Sequence, residues 1–290
     1  MIVIISNNKT SASRYHVTHR DKIMKIWRIF TIHVVVLMLL VFSVPSLAFG
    51  PNGHRIVARI AENHLTPGAK AKIKKITRGR FLAQLATWPD EIRSNPDWNY
   101  TKPWHYLSID DNESFENLKR SKNGDVMEAL ARFEKTLRNK KVVGKEKWQA
   151  LAFYIHFMGD IHQPLHVGRR GDLGGNKIQV KWFGHDSNLH KVWDSGMIDN
   201  QYLSFREYAS FLDHVTPRQI RAWQAASYLD YAKESKNLRP KVYELGKQKS
   251  NPPELDYEYS YHKIDILNLR LVQAGIRLAG KLNNIFSSRN

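Results

Sequence analysis

Two histidine–aspartate pairs stand four residues apart in this chain, each inside an apolar segment. In WQALAFYIHFMGDIHQPLH, residues 148–166, the pair is His156 and Asp160; in NLHKVWDSGM, residues 188–197, it is His190 and Asp194. On a helix this spacing puts both side chains on one face, within reach of a common ion. One such pair alone also reads as a hydrogen bond inside a core. Two of them favour metal, because a carboxylate among apolar residues is costly without a partner. Further donors lie at turns beside apolar segments: His54 after Gly53, Asp90 in TWPDEI, His105 in KPWHYL and His166 in QPLH. The chain has no cysteine, which excludes disulfide scaffolds and thiolate metal sites and leaves nitrogen and oxygen as ligands. Zinc accepts imidazole and carboxylate together, and five histidines with three aspartates exceed what one tetrahedral ion needs. Several ions are implied. The other histidines beyond residue 48, His64, His162, His185, His214 and His262, read as surface or supporting residues. His162, two positions from Asp160, reads either as orienting a ligand through its second nitrogen or as a plain structural hydrogen bond.

Helical periodicity dominates the segments that must position these groups. Residues 54–64 carry Ile56, Val57, Ile60 and Ala61 on one face, residues 125–138 and 148–161 read similarly, and residues 261–286 align Ile264, Leu267, Leu271, Ala274, Leu278 and Leu282. The expected class is all-α, one compact multi-helix domain over residues 49–290. Irregular stretches are expected at 89–103, 168–176 and 249–253, the last a Pro-rich loop before the C-terminal helix. Residues 177–183 alternate like a strand, so a small β-hairpin is the most β-structure expected.

The 290 residues are 42% apolar, enough for a substantial core. Residues 24–48 have a basic start, an apolar run through 34–44, and Ser46 and Ala48 at −3 and −1 of a cut before Phe49. That is the pattern of a secretory signal, so residues 1–48 are expected to be removed and the product to be secreted or periplasmic. The leader carries Lys9, Arg14, Arg20, Lys22, Lys25 and Arg28 against Asp21, which leaves +13 of the chain's +18 to residues 49–290. Such a balance fits a polyanion, either nucleic acid or an anionic membrane surface.

The motifs in order are GH at 53–54, WPDE at 88–91, WHY at 104–106, HFMGDIHQPLHVG at 156–168, GGN at 174–176, NLHKVWD at 188–194 and AGIRLAGKLN at 274–283. Together they span nearly all of residues 49–286, and on them the chain resembles the single-strand-specific zinc nucleases of fungi and plants, whose bacterial relatives include zinc phospholipase C. The resemblance implies three zinc ions. Asp90, His105, His156 and Asp160 would hold the first, with Asp160 also bridging to a close neighbour. His54 and the amine and carbonyl of Phe49 would complete that neighbour, and His166, His190 and Asp194 would hold the third. The family's usual first residue is Trp, which puts the packing of Phe49 in question more than its main-chain ligation. Since a peptide nitrogen has no lone pair to donate, the site would be complete only after cleavage behind Ala48. Asn176 would recognise a base, with Tyr106 as its stacking partner; Asn176 also reads as a turn residue after two glycines.

Three divalent ions against three aspartates leave positive charge for a phosphodiester, and zinc acidifies bound water to a pKa of roughly 7. Asp90 and Asp160 would serve catalysis through the metal, and no separate protein base is assigned. The expected function is an endonuclease that cuts single-stranded DNA and RNA to 5′-phosphorylated products as a monomer without a stable protein partner. Its rivals are a zinc phospholipase C on the same scaffold and a non-catalytic secreted protein that binds polyanions through charge alone.

Overall fold

The computed structural model describes residues 49–247 and 249–287, and the expected signal at residues 24–48 lies outside them. The described residues form an all-α fold with one small sheet. Helix α1 (Pro51–Asn63) begins on a proline, whose fixed φ suits a first turn, and buries Ile56, Val57, Ile60 and Ala61. Helix α2 (Pro67–Thr77) is capped by Thr66, whose side chain accepts from the Ala69 N–H. The Asp125 carboxylate caps α3 (Val126–Arg138) by accepting from Met127 and Glu128. Helix α4 (Gly144–Asp160) is the centre of the fold: residues 150–168 are buried without a break. A helix apolar on all sides has to be wrapped by others. Helices α5 (Phe205–Leu212), α6 (Pro217–Ala225) and α7 (Tyr228–Val242) each open with a reciprocal capping box, Ser204 with Glu207, Thr216 with Gln219 and Ser227 with Asp230. The last helix, α8 (Tyr257–Ile285), runs for 29 residues. It packs on α1, whose other flank is covered by α5, while α3 packs on α4.

A polar knot ties α7 and α8 to the end of α4. Arg270 and Arg277 of α8 are each 1% exposed and both pair with Glu234 of α7. Arg270 also donates to the carbonyls of His162 and Tyr231 and to the hydroxyl of Ser235. Burial pulls the Arg270 guanidinium down to about 10, and only the Glu234 charge holds it that high.

Two regions differ from the sequence reading. Residues 89–103, expected to be irregular, are a chain of short helical turns at Trp88–Glu91, Ile92–Ser94 and Pro96–His105. Prolines 89, 96 and 103 stop any of these turns from growing into a long helix. The expected hairpin is present as β1 (Gln179–Trp182) and β2 (His185–Asn188), turning through Phe183 and Gly184 with φ of 50° and 77°. A third strand, β3 (Glu254–Leu255), adds to β1 in parallel, giving the order β2-β1-β3.

Candidate metal centre

Five histidines and three aspartates meet in one buried region. Asp90 sits on the Trp88–Glu91 turn, which is wedged in place by the Trp88 ring against Trp98, Trp148 and Phe153 at centroid distances of 5.0–5.5 Å. His105 ends the turn Pro96–His105, His54 comes from α1, and His156 with Asp160 from the last turns of α4. His166 lies on a 3-10 turn at Pro164–Val167. His190 and Asp194 were expected on a regular helix; the chain instead passes from the turn Leu189–Lys191 into a π-helical turn, Val192–Gly196. Single π turns of this kind recur at functional sites. Here it still brings His190 Nε2 within 3.1 Å of Asp194 Oδ2.

The donors sort into three groups suited to hold a metal: His54, His156 and Asp160; Asp90, His105 and His156; and His166, His190 and Asp194. Asp160 joins the first two. Its Oδ1 lies 3.4 Å from His54 Nε2, while its Oδ2 lies 3.2 Å from His105 Nδ1 and 3.5 Å from His156 Nε2. Asp90 Oδ1 approaches His156 Nε2 at 3.7 Å and His105 Nδ1 at 3.9 Å. In the third group, His166 Nε2 is 3.6 Å from Asp194 Oδ1.

The hydrogen bonds fix which nitrogens are free. A carbonyl can only accept, so His156, His166 and His190 each donate their Nδ1 proton, to Ala86 O at 2.7 Å, His105 O at 2.6 Å and Gly174 O at 2.6 Å. In the neutral rings Nε2 then carries the lone pair and turns to the centre. Among the described residues, both oxygens of Asp160 and both nitrogens of His54 are buried without a hydrogen-bond partner. A cluster of unpaired buried acceptors calls for cations. The electrostatics agree. Burial, and then neighbouring imidazoles, hold His54 and His105 well below the ordinary histidine range, leaving them neutral donors. Burial, reinforced by Asp90 and Asp194, pushes the Asp160 carboxyl well above the usual carboxylate range. The donor set fits zinc in ligand type and count.

Several supports carry no signal in the His–Asp spacing. The Gln163 amide donates to Asp194 Oδ1 at 2.6 Å and accepts from Leu165 N, so it aims a candidate ligand. The carbonyls of Ala86 and Gly174 set two ring tautomers, and Arg93 Nη1 lies 3.3 Å from Asp90 Oδ1. Gly174 combines φ of 62° with a site where a Cβ would lie 2.3 Å from Leu165 O, so a side chain there is excluded twice. At Gly159, a Cβ would stand 2.8 Å from His54 Nδ1. Gly→Ala inside a helix ordinarily stabilises by about 1 kcal/mol; Gly159→Ala is expected instead to lower the melting temperature and the bound metal per chain. Calorimetry with metal analysis checks this, and an unchanged or higher melting temperature would refute it.

The other expected residues fall as follows. Tyr106 directly follows His105 and exposes 45% of its surface, while its carbonyl accepts from Val126 N. Asn176 is half-buried, and its amide donates to Leu173 O at 2.8 Å within the GGN loop, the contact expected of a turn residue. His162 does not reach the centre: it follows the end of α4, bonds Met158 O through Nδ1 and takes the Arg277 guanidinium on Nε2 at 2.9 Å. Its role is the structural bond. Phe49 is fully buried with its ring edge-on to His54, and the next residue, Gly50, donates to Asp194 O at 2.7 Å, which pins the chain beside both ends of the centre.

Comparison with known proteins identifies the family. The S1/P1 nuclease family matches residues 49–287, a span that contains every donor above. Endonuclease 3 of Arabidopsis thaliana is 32% identical over 287 residues, covering 90% of this chain and 96% of its own. Endonuclease 4 of the same plant is 32% identical over 274 residues, covering 84% and 91%. Nuclease S1 of Aspergillus oryzae is 31% identical over 160 residues, covering 52% and 55%. With a family match over residues 49–287 and relatives covered nearly end to end, the chain belongs to the S1/P1 nuclease family and is a phosphodiesterase-type hydrolase.

Proposed function

We propose that the chain, freed of residues 1–48, is a secreted or periplasmic zinc-dependent endonuclease acting as a monomer on single-stranded DNA and RNA. The observation that carries this reading is Asp160, a fully buried carboxylate with two orphaned oxygens, one facing each of two donor groups. Three zinc ions are proposed, on Asp90, His105, His156 and Asp160; on Asp160, His54 and the amine and carbonyl of Phe49; and on His166, His190 and Asp194. Bound zinc supplies Lewis acidity and water acidified to a pKa of roughly 7. The chain's own residues do the rest. Burial favours the neutral form of His54, His105 and His156, and Gln163 and the carbonyls of Ala86, His105 and Gly174 hold the donors in one orientation. Tyr106 offers an exposed ring for a base to stack on, and Asn176 offers an amide edge to recognise it. A paired base hides both surfaces that this recognition needs, which favours single strands. Products are 5′-phosphorylated.

The test is to count zinc in the processed protein and to offer it single-stranded DNA, RNA and phosphatidylcholine with and without chelator. Chelator-sensitive release of 5′-nucleotides supports the reading. Diacylglycerol release with inert oligonucleotides would replace it with a lipid phosphodiesterase. Within the nuclease reading, Asn176→Ala is expected to raise KM about tenfold, the worth of a hydrogen bond of roughly 1.4 kcal/mol, with zinc content unchanged. Equal KM values would return Asn176 to its turn role alone.

A further inference from the structure

A second concave feature lies at the other end of α4. It is lined by the C-terminal half of α2, the turn after it, the α3–α4 connection and the end of α8. Its rim carries Lys72, Lys75, Arg78, Arg80, Lys140 and Lys145, all exposed. No Asp or Glu lines it, and none of these six cations makes an ion pair among the described residues. The two other cations are already engaged: Arg138 with Glu134, and Lys147 with the carbonyls that end α3. The floor is apolar, with Ile76, Val142, Trp148 and Phe286.

Six unneutralised cations around an apolar floor repel one another and are expected to recruit a polyanion. Of the two kinds of polyanion that charge alone permits, a bilayer presents a flat surface and a nucleic acid strand a thin one. A cleft admits the strand, and its combination of a charged rim with an apolar, partly aromatic floor suits phosphates flanking bases. The location adds a second argument. Trp148 lines the cleft and packs on Trp88, two residues before Asp90. Gly144 and His156 are twelve residues apart on one helix, roughly 18 Å in a straight line at about 1.5 Å per residue; a strand passing around this buried helix would need at least about five nucleotides at a stacked rise of about 3.4 Å.

We infer that this cleft is an outlying site for the sugar–phosphate backbone of single-stranded nucleic acid, engaging the strand at least about five nucleotides from the phosphodiester at the metal centre. The choice of nucleic acid rests on the proposed nuclease function; the cleft's affinity for a polyanion does not. The cleft makes long strands bind more tightly than short ones.

The test compares the metal-loaded protein with K72Q/R78Q/K145Q, using fluorescence anisotropy of labelled phosphorothioate (dT)20 and (dT)4 from 50 to 200 mM salt. Three neutralised cations are expected to flatten the slope of log K against log salt for (dT)20 by about 2, at roughly 0.7 per contact on single strands. They are also expected to weaken (dT)20 at least about tenfold at 50 mM salt, so that the advantage of (dT)20 over (dT)4 collapses. An equal melting temperature shows that the fold is intact; if the triple variant melts lower, the single variants K72Q and K145Q carry the same comparison. Unchanged affinity and slope would overturn the inference. So would cleft-dependent binding to phosphatidylserine vesicles with (dT)20 unaffected. A parent protein that binds (dT)20 through the cleft but cuts no unmodified strand sinks the nuclease function and leaves the cleft standing; one that cuts but ignores the substitutions does the reverse.

Discussion

Asp160→Asn is expected to lower kcat/KM on single-stranded DNA by at least about 10³-fold, on the order of 4 kcal/mol, and to reduce bound zinc per chain. The same substitution should leave the melting temperature of the chelated protein unchanged or raise it. Both expectations come from one arrangement. Asp160 is fully buried, its two oxygens have no hydrogen-bond partner, and the Asp90 and Asp194 carboxylates oppose its ionisation. Without metal, its charge is a burden on the fold that a neutral amide of the same shape relieves. With metal, each oxygen faces its own donor group, and an amide can supply only one oxygen. Activity assays with metal analysis check the first expectation, and thermal scans with and without chelator check the second. If the variant melts lower in both conditions, Asp160 is a packing residue and the bridging role is wrong.

A comparably large effect on stability is expected away from the centre. Glu234→Gln removes the charge that balances both Arg270 and Arg277, which are each 1% exposed. An arginine cannot shed its proton, so two cations would be left buried with one neutral partner. Breaking a buried pair costs about 3–5 kcal/mol. Glu234 is itself 37% exposed, so water recovers part of this and the lower figure, about 3 kcal/mol, is expected. For a domain of this size that is a fall of roughly 6–12 °C in melting temperature. Calorimetry measures it, and a fall under about 2 °C would mean that solvent replaces the carboxylate. Because the network reaches the carbonyl and ring of His162, just beyond α4, some loss of metal affinity should accompany the fall.

The donors were legible because metal chemistry restricts residue type and helix geometry restricts spacing: an i, i+4 His–Asp pair in an apolar run has few other uses. The long helices were legible for the same reason, as each buries one repeating face. What escaped the reading lacks such a face. Helix α6 has no buried residue at all, so only its Thr216–Gln219 capping box marked it, and α5, which buries only Tyr208 and Ala209, opens on the same kind of local signal. The prolines of residues 89–103 suggested loop, whereas packing of Trp88 and Trp98 rewards short helical turns. Strand β3 is two residues long and owes its existence to a distant partner, β1. His162 was misleading because nearness in sequence to Asp160 says nothing of direction once the helix has ended. Gln163, one residue on, does reach the centre.

Phe49 is wholly enclosed, and the residue after it is hydrogen-bonded to the main chain of Asp194. Under the proposed maturation before Phe49, an affinity tag fused directly to the new terminus would crowd the His54 ring, which the enclosed Phe49 ring meets edge-on.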